Sequence, residues 1–473
     1  MARRAGRTPP DARARPLTGT RALRGASGSG RRPAPVDLPP VANWGIAAGG
    51  LLLLAAADPW FAGVAAALAF LLYLLGRGIG AANRRDRVSA VPELCFAFAI
   101  TLYLALLIFY RFPVSVSFLD SARGADLVEW RGPFDGAPFA VPGLLATFGL
   151  SVFVWHGLSY IVDLYRGNAT ASRNPGQTLA YLFFFPSLLA GPTLRYHDLY
   201  APLATREPSM AAAAYGVRRI TIGLVKVLLI GRTLAVPAEA ALRAAPDELS
   251  ATLAWAGLAC FGLQVYYDLS GVADIALGLG RMLGFRLPEN FDWPYAADSL
   301  DGFWRRWNVT LVAWSGTYLR VPPLLAFVAV AAWHGAAAPL FAWGALQGGL
   351  VWLERTRWCG ARLRQLPKAA RHAWVIAAVT LGWVLFRAET FTGAGFYVAA
   401  LAGFGGAPMP GAPNPITLWT MAVFVVGAVG AAPLLPAVSR WTVTVDALAT
   451  AVQMIVTAAV MFVRTRLGGR RRR

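Results

Sequence analysis

Apolar segments, each about the length of a membrane crossing, follow one another from residue 41 almost to the end of the chain. This succession restricts the fold more than any other feature. A helix needs about 20 mostly apolar residues, with a range of about 17–25, to cross the hydrocarbon core. Such segments fall near residues 42–57, 60–76, 90–110, 140–162, 211–232, 249–269, 322–337, 339–353, 372–386, 415–435 and 444–463. Several are short, which predicts tilted, broken or half-spanning helices. Residues 178–192 (TLAYLFFFPSLLAGP) are equally apolar but carry Pro186 and Pro192. Proline lacks the backbone donor and interrupts a helix. This stretch is therefore expected to be re-entrant, its backbone covered by protein. The predicted fold class is an all-α polytopic transmembrane helical bundle of about 10–12 spans, with re-entrant and interfacial helices.

Composition agrees. Only 14% of the 473 residues are charged, against roughly 25% in soluble domains. That excludes a disordered chain, a secreted disulfide scaffold and an ordinary soluble enzyme. The net charge of +20 resides mostly in the two ends: residues 1–33 hold nine Arg and one Asp, and residues 464–473 hold six Arg and no acid. Residues 1–40, rich in Arg, Pro, Gly and Ser, read as a disordered basic tail. Residues 41–463 read as the membrane domain and 464–473 as a second basic tail. No signal peptide is evident. Basic tails on an apolar body fit cytoplasmic ends and contact with anionic membrane lipid. Nucleic acid is not an expected partner, because the aromatic residues lie in apolar runs rather than among the charges.

Loop charges orient the spans. The basic stretches 77–87 and 354–371 are expected inside; the acid-leaning 111–139 and 239–248, and the uncharged 391–414, outside. Eleven spans would put the two tails on opposite sides. Either one short segment is miscounted or 391–404 adds a half-span.

Polar residues at membrane depth mark function. His334 and His156 both sit in apolar surroundings, His197 at an interface and His372 beside Arg371. A single histidine in an apolar helix is more often a packing residue than a catalyst. From Gln264 to Trp314 the chain is dense in polar residues. Asp268 and Asp274 are expected to pair with Arg281 or with backbone groups. The run Trp304-Arg305-Arg306-Trp307-Asn308 sets two guanidiniums between aromatic rings, which by composition reads as an interfacial amphipathic helix. No HxxxH, HExxH, GxSxG, P-loop or GxGxxG pattern occurs, and Cys95, Cys260 and Cys359 lie far apart, so no metal site is expected.

Four blocks resemble the membrane-bound O-acyltransferase (MBOAT) family, in the branch of bacterial alginate O-acetyltransferases and teichoic-acid D-alanyltransferases. They are LSYIVDLYRG (158–167), FFPSLLAGPTLRYHDL (184–199), LQVYYDLSGVADIALGLGRMLGFRLPENFDWPYAADSLDGFWRRWN (263–308), and WHGAAAPLFAWGALQG (333–348) with LGWVLFRAET (381–390). The resemblance covers roughly 140–405. It implies a multi-pass protein of the cell (inner) membrane that moves a short acyl group, acetyl above all, from a thioester to a hydroxyl of an extracytoplasmic glycan. The co-substrate would be acyl-CoA or an acyl-carrier protein, with no bound cofactor, and the family often works with an extracytoplasmic partner protein. D-alanyl-type transfer is the enzymatic alternative. An inactive scaffold or a transporter is the other, although the inverted repeats of a transporter are not visible.

The family's WHG histidine falls on His334, which the resemblance makes the catalytic base. The polar position after WRRW is Asn308, a type found in the sterol and diacylglycerol branches; the bacterial branch usually has His. Trp304, Arg305, Arg306, Tyr318 and Trp333 are the further candidates for binding substrate. The bacterial branch's Gly-Gly-Asn-Arg loop is missing between Tyr318 and His334, and that spacer is shortened.

Overall fold

The computed structural model describes residues 41–83, 90–111, 149–188, 191–335, 337–407 and 414–432. The two predicted basic tails and the segment at 444–463 lie outside the described residues.

The described chain is helical. Helices α1 (Val41–Ala57), α2 (Pro59–Asn83), α3 (Val91–Arg111) and α4 (Leu150–Tyr165) follow the first apolar segments. Asp58 separates α1 from α2 and caps the latter, its carboxylate accepting the Phe61 amide at 2.9 Å. The stretch expected to be re-entrant breaks into α5 (Pro175–Leu182) and a single turn, Phe185–Leu188. Asn174 caps α5, accepting the Gly176 amide at 2.9 Å. Phe183 and Phe184 are buried at the break, and the Tyr181 hydroxyl donates to Leu194 O at 2.9 Å. Together with α6 (Tyr196–Thr205), these elements pack around buried Tyr103, Phe153, Tyr160, Tyr181 and Tyr196.

α7 (Met210–Arg243) and α8 (Ala251–Met282) form the second half's backbone. Both run beyond the apolar segments at 211–232 and 249–269. α7 continues through a π-helical stretch, Lys226–Gly231. The two helices are antiparallel and very close: Gly216 lies against the carbonyl of Gly278, and Gly223 against that of Gly271. Small residues permit such approach where lipid offers no hydrophobic drive between helices.

α8 stays helical through Asp268, Asp274 and Arg281 because its buried acid is matched from the neighbouring helix. Asp274 accepts from Arg219 Nε at 2.8 Å and meets Lys226 Nζ at 2.8 Å; Arg219 extends the network to Glu289. The expected partner Arg281 instead stands over the Tyr215 ring at 5.8 Å. It sits two helical turns beyond Asp274, whereas Arg219 and Lys226 of α7 face that carboxylate directly.

The remaining helices are α9 (Leu300–Arg306), α10 (Val309–Tyr318), α11 (Pro323–His334), α12 (Ala338–Arg355), α13 (Arg357–Gln365), α14 (Lys368–Arg387), α15 (Phe391–Phe404) and α16 (Leu418–Gly430). α2, α7 and α14 are long and apolar enough to cross a membrane by themselves; α10 and α11 meet that test jointly, bent by 115°. α1, α15, α16 and the first part of α3 are shorter apolar helices.

Substituting Gly223 with Val drives a branched side chain into the Gly271 carbonyl. Overpacking of this kind costs about 1–3 kcal/mol. The detergent-solubilised variant should melt at a lower temperature than the parent, while Gly63→Val, which meets nothing within 4 Å, should not.

Candidate active site

Where α9, α10, α11, α12 and α14 converge they enclose a cavity of about 340 Å³. Its walls include Trp304, Trp307, Trp343, Trp383 and Phe386, and its rim carries Asp301, Arg305 and Arg355. His334 and Asn308 both line it.

The turn that presents Asn308 is held by backbone and side-chain bonds from three segments. Ser299 caps α9, accepting the Gly302 amide at 3.1 Å, and the Glu354 carboxylate accepts the amides of Leu300 (3.0 Å) and Asp301 (3.1 Å). After α9 the chain extends at Trp307, which pairs with Phe291 as an isolated antiparallel bridge. Asn308 then takes the left-handed conformation, φ 49°, before α10 begins. Asparagine is among the few side chains that tolerate this region. The Val309 amide donates to Asn290 O at 2.9 Å. The Thr310 hydroxyl donates to Asn290 Oδ1 at 2.8 Å and accepts the Thr193 amide at 2.8 Å. Asn308 itself contributes no side-chain bond to this clamp. Its Oδ1 is buried and meets no hydrogen-bonding partner among the described residues.

The far end of α10 is anchored as firmly. Asp163, fully buried, accepts from the Tyr318 hydroxyl at 2.8 Å, from the His197 amide at 3.0 Å and lies 2.8 Å from His197 Nδ1. The Tyr318 hydroxyl also lies 2.6 Å from Ser159 Oγ. Past Tyr318 the shortened spacer bends sharply through Arg320, at φ 50°, into Pro322 and Pro323, which start α11.

His334 ends α11. Its ring packs 4.5 Å from that of Trp333 and 5.0 Å, edge-on, from Phe386. Close packing on α12 fixes α11: Gly344 approaches Phe327 O, and Gly348 approaches Leu324. Trp333 Nε1 donates to Ser151 Oγ at 2.6 Å, tying the histidine's neighbour to α4.

All four histidines are described, and His334 alone among them lines the cavity. His156 is fully buried and stacks on Tyr181 at 4.7 Å. His372 Nδ1 lies 3.0 Å from Ala297 O. Of the other candidates, Trp304, Arg305 and Trp333 line the cavity with His334 and Asn308. Arg306 and Tyr318 are not among its lining residues. Tyr318 points its hydroxyl to Asp163 and Ser159 instead, because α10 turns its last residue toward α4. Arg305 pairs with Asp301 at 2.7 Å, and Arg355 reaches the same carboxylate at 2.5 Å. Nearby, the Arg371 guanidinium, 2.6 Å from Asp298, holds that half-buried carboxyl below the usual carboxylate range.

Several residues that shape the cavity carried no signal of their own in the sequence. Gln347 is fully buried: its Oε1 accepts from Trp304 Nε1 at 3.2 Å, and its Nε2 donates to Ala378 O at 2.9 Å. Gln347, Trp343, Trp383 and Phe386 lie inside the quoted blocks, and Asn290 lies in the long one. Tryptophan crowding in those blocks was the available signal.

Known proteins were compared with this chain. The family model described as MBOAT, membrane-bound O-acyltransferase family, matches residues 144–386. A probable alginate O-acetylase AlgI of Azotobacter vinelandii is 33% identical over 362 residues, covering 73% of this chain and 69% of the relative. The peptidoglycan O-acetyltransferase of Helicobacter pylori is 26% identical over 320 residues, 59% of this chain and 60% of that protein. The teichoic acid D-alanyltransferase of Bacillus subtilis is 21% identical over 287 residues, 54% of this chain and 70% of that protein. Among the alginate O-acetylases the match spans from 54% to 69% of the relative's length.

Replacing Gln347 with Leu would leave the Trp304 indole N–H and the Ala378 carbonyl without partners. A buried group stranded in this way costs about 1–3 kcal/mol. The variant is expected to unfold at lower temperature in a detergent melting experiment, and a melting point equal to the parent's would remove Gln347 from this role.

Proposed function

Because the chain belongs to the membrane-bound O-acyltransferase family, we propose that it transfers an acetyl group from a thioester donor to a hydroxyl of an extracytoplasmic glycan. It does so as a multi-pass protein of the cell inner membrane. The observation that carries this reading is one cavity holding both an imidazole and an uncommitted carboxamide, His334 and Asn308.

Acyl transfer to a hydroxyl requires a base for the leaving proton and a donor for the carbonyl oxygen as it gains charge. Histidine, with an ordinary pKa of about 6.5, is largely neutral at pH 7 and can accept that proton. A carboxamide offers N–H donors without a charge to desolvate. His334 removes the proton as the hydroxyl oxygen attacks the thioester carbonyl, and the Asn308 amide donates to the carbonyl oxygen. When the tetrahedral centre collapses, the carbon–sulfur bond breaks and the imidazolium returns its proton to the departing thiolate. The new ester and a free thiol balance the reaction, and no acyl-enzyme is needed.

The wall of indole rings supports a thioester arm and excludes water that would hydrolyse it. Trp304 and Trp333 belong to this wall. Arg305 and Arg355, at the rim, supply guanidiniums suited to phosphate on the donor. On this reading the donor is acyl-CoA or an acyl-carrier protein, and an extracytoplasmic partner protein takes part in acceptor handling.

The direct test uses the protein in proteoliposomes, with radiolabelled acetyl thioester on one side and a hydroxyl-bearing oligosaccharide on the other. His334→Ala should lose transfer. Asn308→Ala should slow it about 10²–10³-fold, the usual consequence of removing one oxyanion donor. Wild-type transfer by the histidine variant would overturn the mechanism.

A further inference from the structure

The residues between α12 and α14 carry a cluster of cations that the proposed reaction does not use. From Arg355 to Arg387 the chain holds no Asp or Glu. Arg387 pairs with Glu239, and two further cations are committed, Arg355 to Asp301 and Arg371 to Asp298. Between them Arg357, Arg362, Arg364 and Lys368 are exposed and make no ion pair among the described residues.

α13 organises three of these four. Thr356 caps it, accepting the Cys359 amide at 3.3 Å. Gly360 is its buried residue and packs against Glu354 O. At 100° per residue, Trp358 and Arg362 fall opposite Gly360, while Arg357 and Arg364 flank it on its own side, their side chains still exposed. Trp358 is 67% exposed, and the Arg362 guanidinium lies over its ring at 4.3 Å. Trp352, Leu353, Leu366 and Trp374 are exposed on either side of the helix. A short helix with an outward indole and guanidiniums, flanked by exposed apolar residues, matches an element lying at headgroup depth.

We propose that α13 and Lys368 form a binding site for the headgroup of an anionic phospholipid. Arg362 beside the Trp358 indole on one side of α13, and Arg357 with Arg364 on the other, would hold headgroup phosphate, with the indole at the boundary between headgroup and acyl chain. Charge selects the ligand, since three arginines with no ion-pair partner among the described residues favour a phosphodiester that carries net charge over a zwitterionic one. The exposed indole and its apolar flanks favour lipid over a soluble phosphate. Because Arg355 and Arg371 tie both ends to the 298–301 segment, the arginines are presented in a fixed orientation. This assignment does not rest on the acyl-transfer reading.

The test uses the full chain in phosphatidylcholine nanodiscs containing trace photoreactive phosphatidylglycerol or, in parallel, photoreactive phosphatidylcholine. Crosslinked peptides are mapped by mass spectrometry. The glycerol lipid should label 357–368 several-fold more than the choline lipid. Arg357→Gln, Arg362→Gln and Arg364→Gln should each weaken that preference roughly fivefold, as expected for one surface cation facing an anionic leaflet. The triple variant, checked for an unchanged melting temperature, should label both lipids equally. Three results would overturn the site: equal labelling of the two lipids in the parent, full labelling in the triple variant, or displacement by millimolar inorganic phosphate or coenzyme A. Loss of labelling on adding an acidic carrier protein would overturn it too, reassigning the helix to that protein.

Discussion

Inside a lipid-embedded bundle no water completes a hydrogen bond that the protein leaves open. Buried polar groups must therefore be matched by the chain itself, and the way they are matched fixes the active turn. Asn290, Thr310 and Thr193 spend their polar atoms on one another and on the backbone around residue 308. Asp163 does the same at the far end of α10, using Tyr318 and His197. Held at both ends, α10 cannot drift, and the left-handed Asn308 keeps its place. The carboxamide of Asn308 is left out of this exchange. Asparagine fits the turn by its backbone, so its side chain can be reserved for a ligand.

The apolar segments disclosed the membrane class because burial in lipid demands a long apolar run, which is a local property. His334 was distinguishable from His156 only through the WHG resemblance, since both sit in apolar sequence. Their separation in space comes from packing: α4 turns Trp155 to the cavity and His156 toward Tyr181. Helix lengths were harder to read. The apolar segment at 249–269 stopped short of Asp274, yet cations on α7 neutralise that buried carboxylate and the helix continues to Met282. Such compensation is non-local, so hydropathy along one segment does not reveal it. The same applies to Gln347, a neutral residue in an apolar helix whose task exists only once Trp304 and Ala378 stand beside it.

Charge and aromatic content divide the cavity into regions of different character. Asp301 sits between Arg305 and Arg355 at the rim and pairs with both. Glu354, whose carboxylate accepts the first amides of α9, keeps its negative charge close by. Deeper, the indoles of Trp304, Trp343 and Trp383 cluster, each ring within 5.9 to 6.5 Å of the other two. A ligand with a charged head and a thin apolar arm fits that order: guanidiniums for the head, ring faces and edges for the arm.

α14 connects these regions and sets their spacing. Arg371, near its start, pairs with Asp298 beside the rim, while Phe386, near its end, touches His334. Fifteen residues of helix advance about 22 Å, most of a hydrocarbon core about 30 Å thick. The imidazole thus lies far along α14 from the basic loop. On the proposed reaction, a donor entering among the arginines need not cross the membrane. Its thioester has only to reach along the aromatic wall to His334, where a hydroxyl arriving from the other side can meet it. The 115° bend between α10 and α11 completes this arrangement. It turns the chain back from Asn308 so that one continuous segment delivers both the carboxamide and the imidazole to the same space, despite the short spacer between Tyr318 and His334.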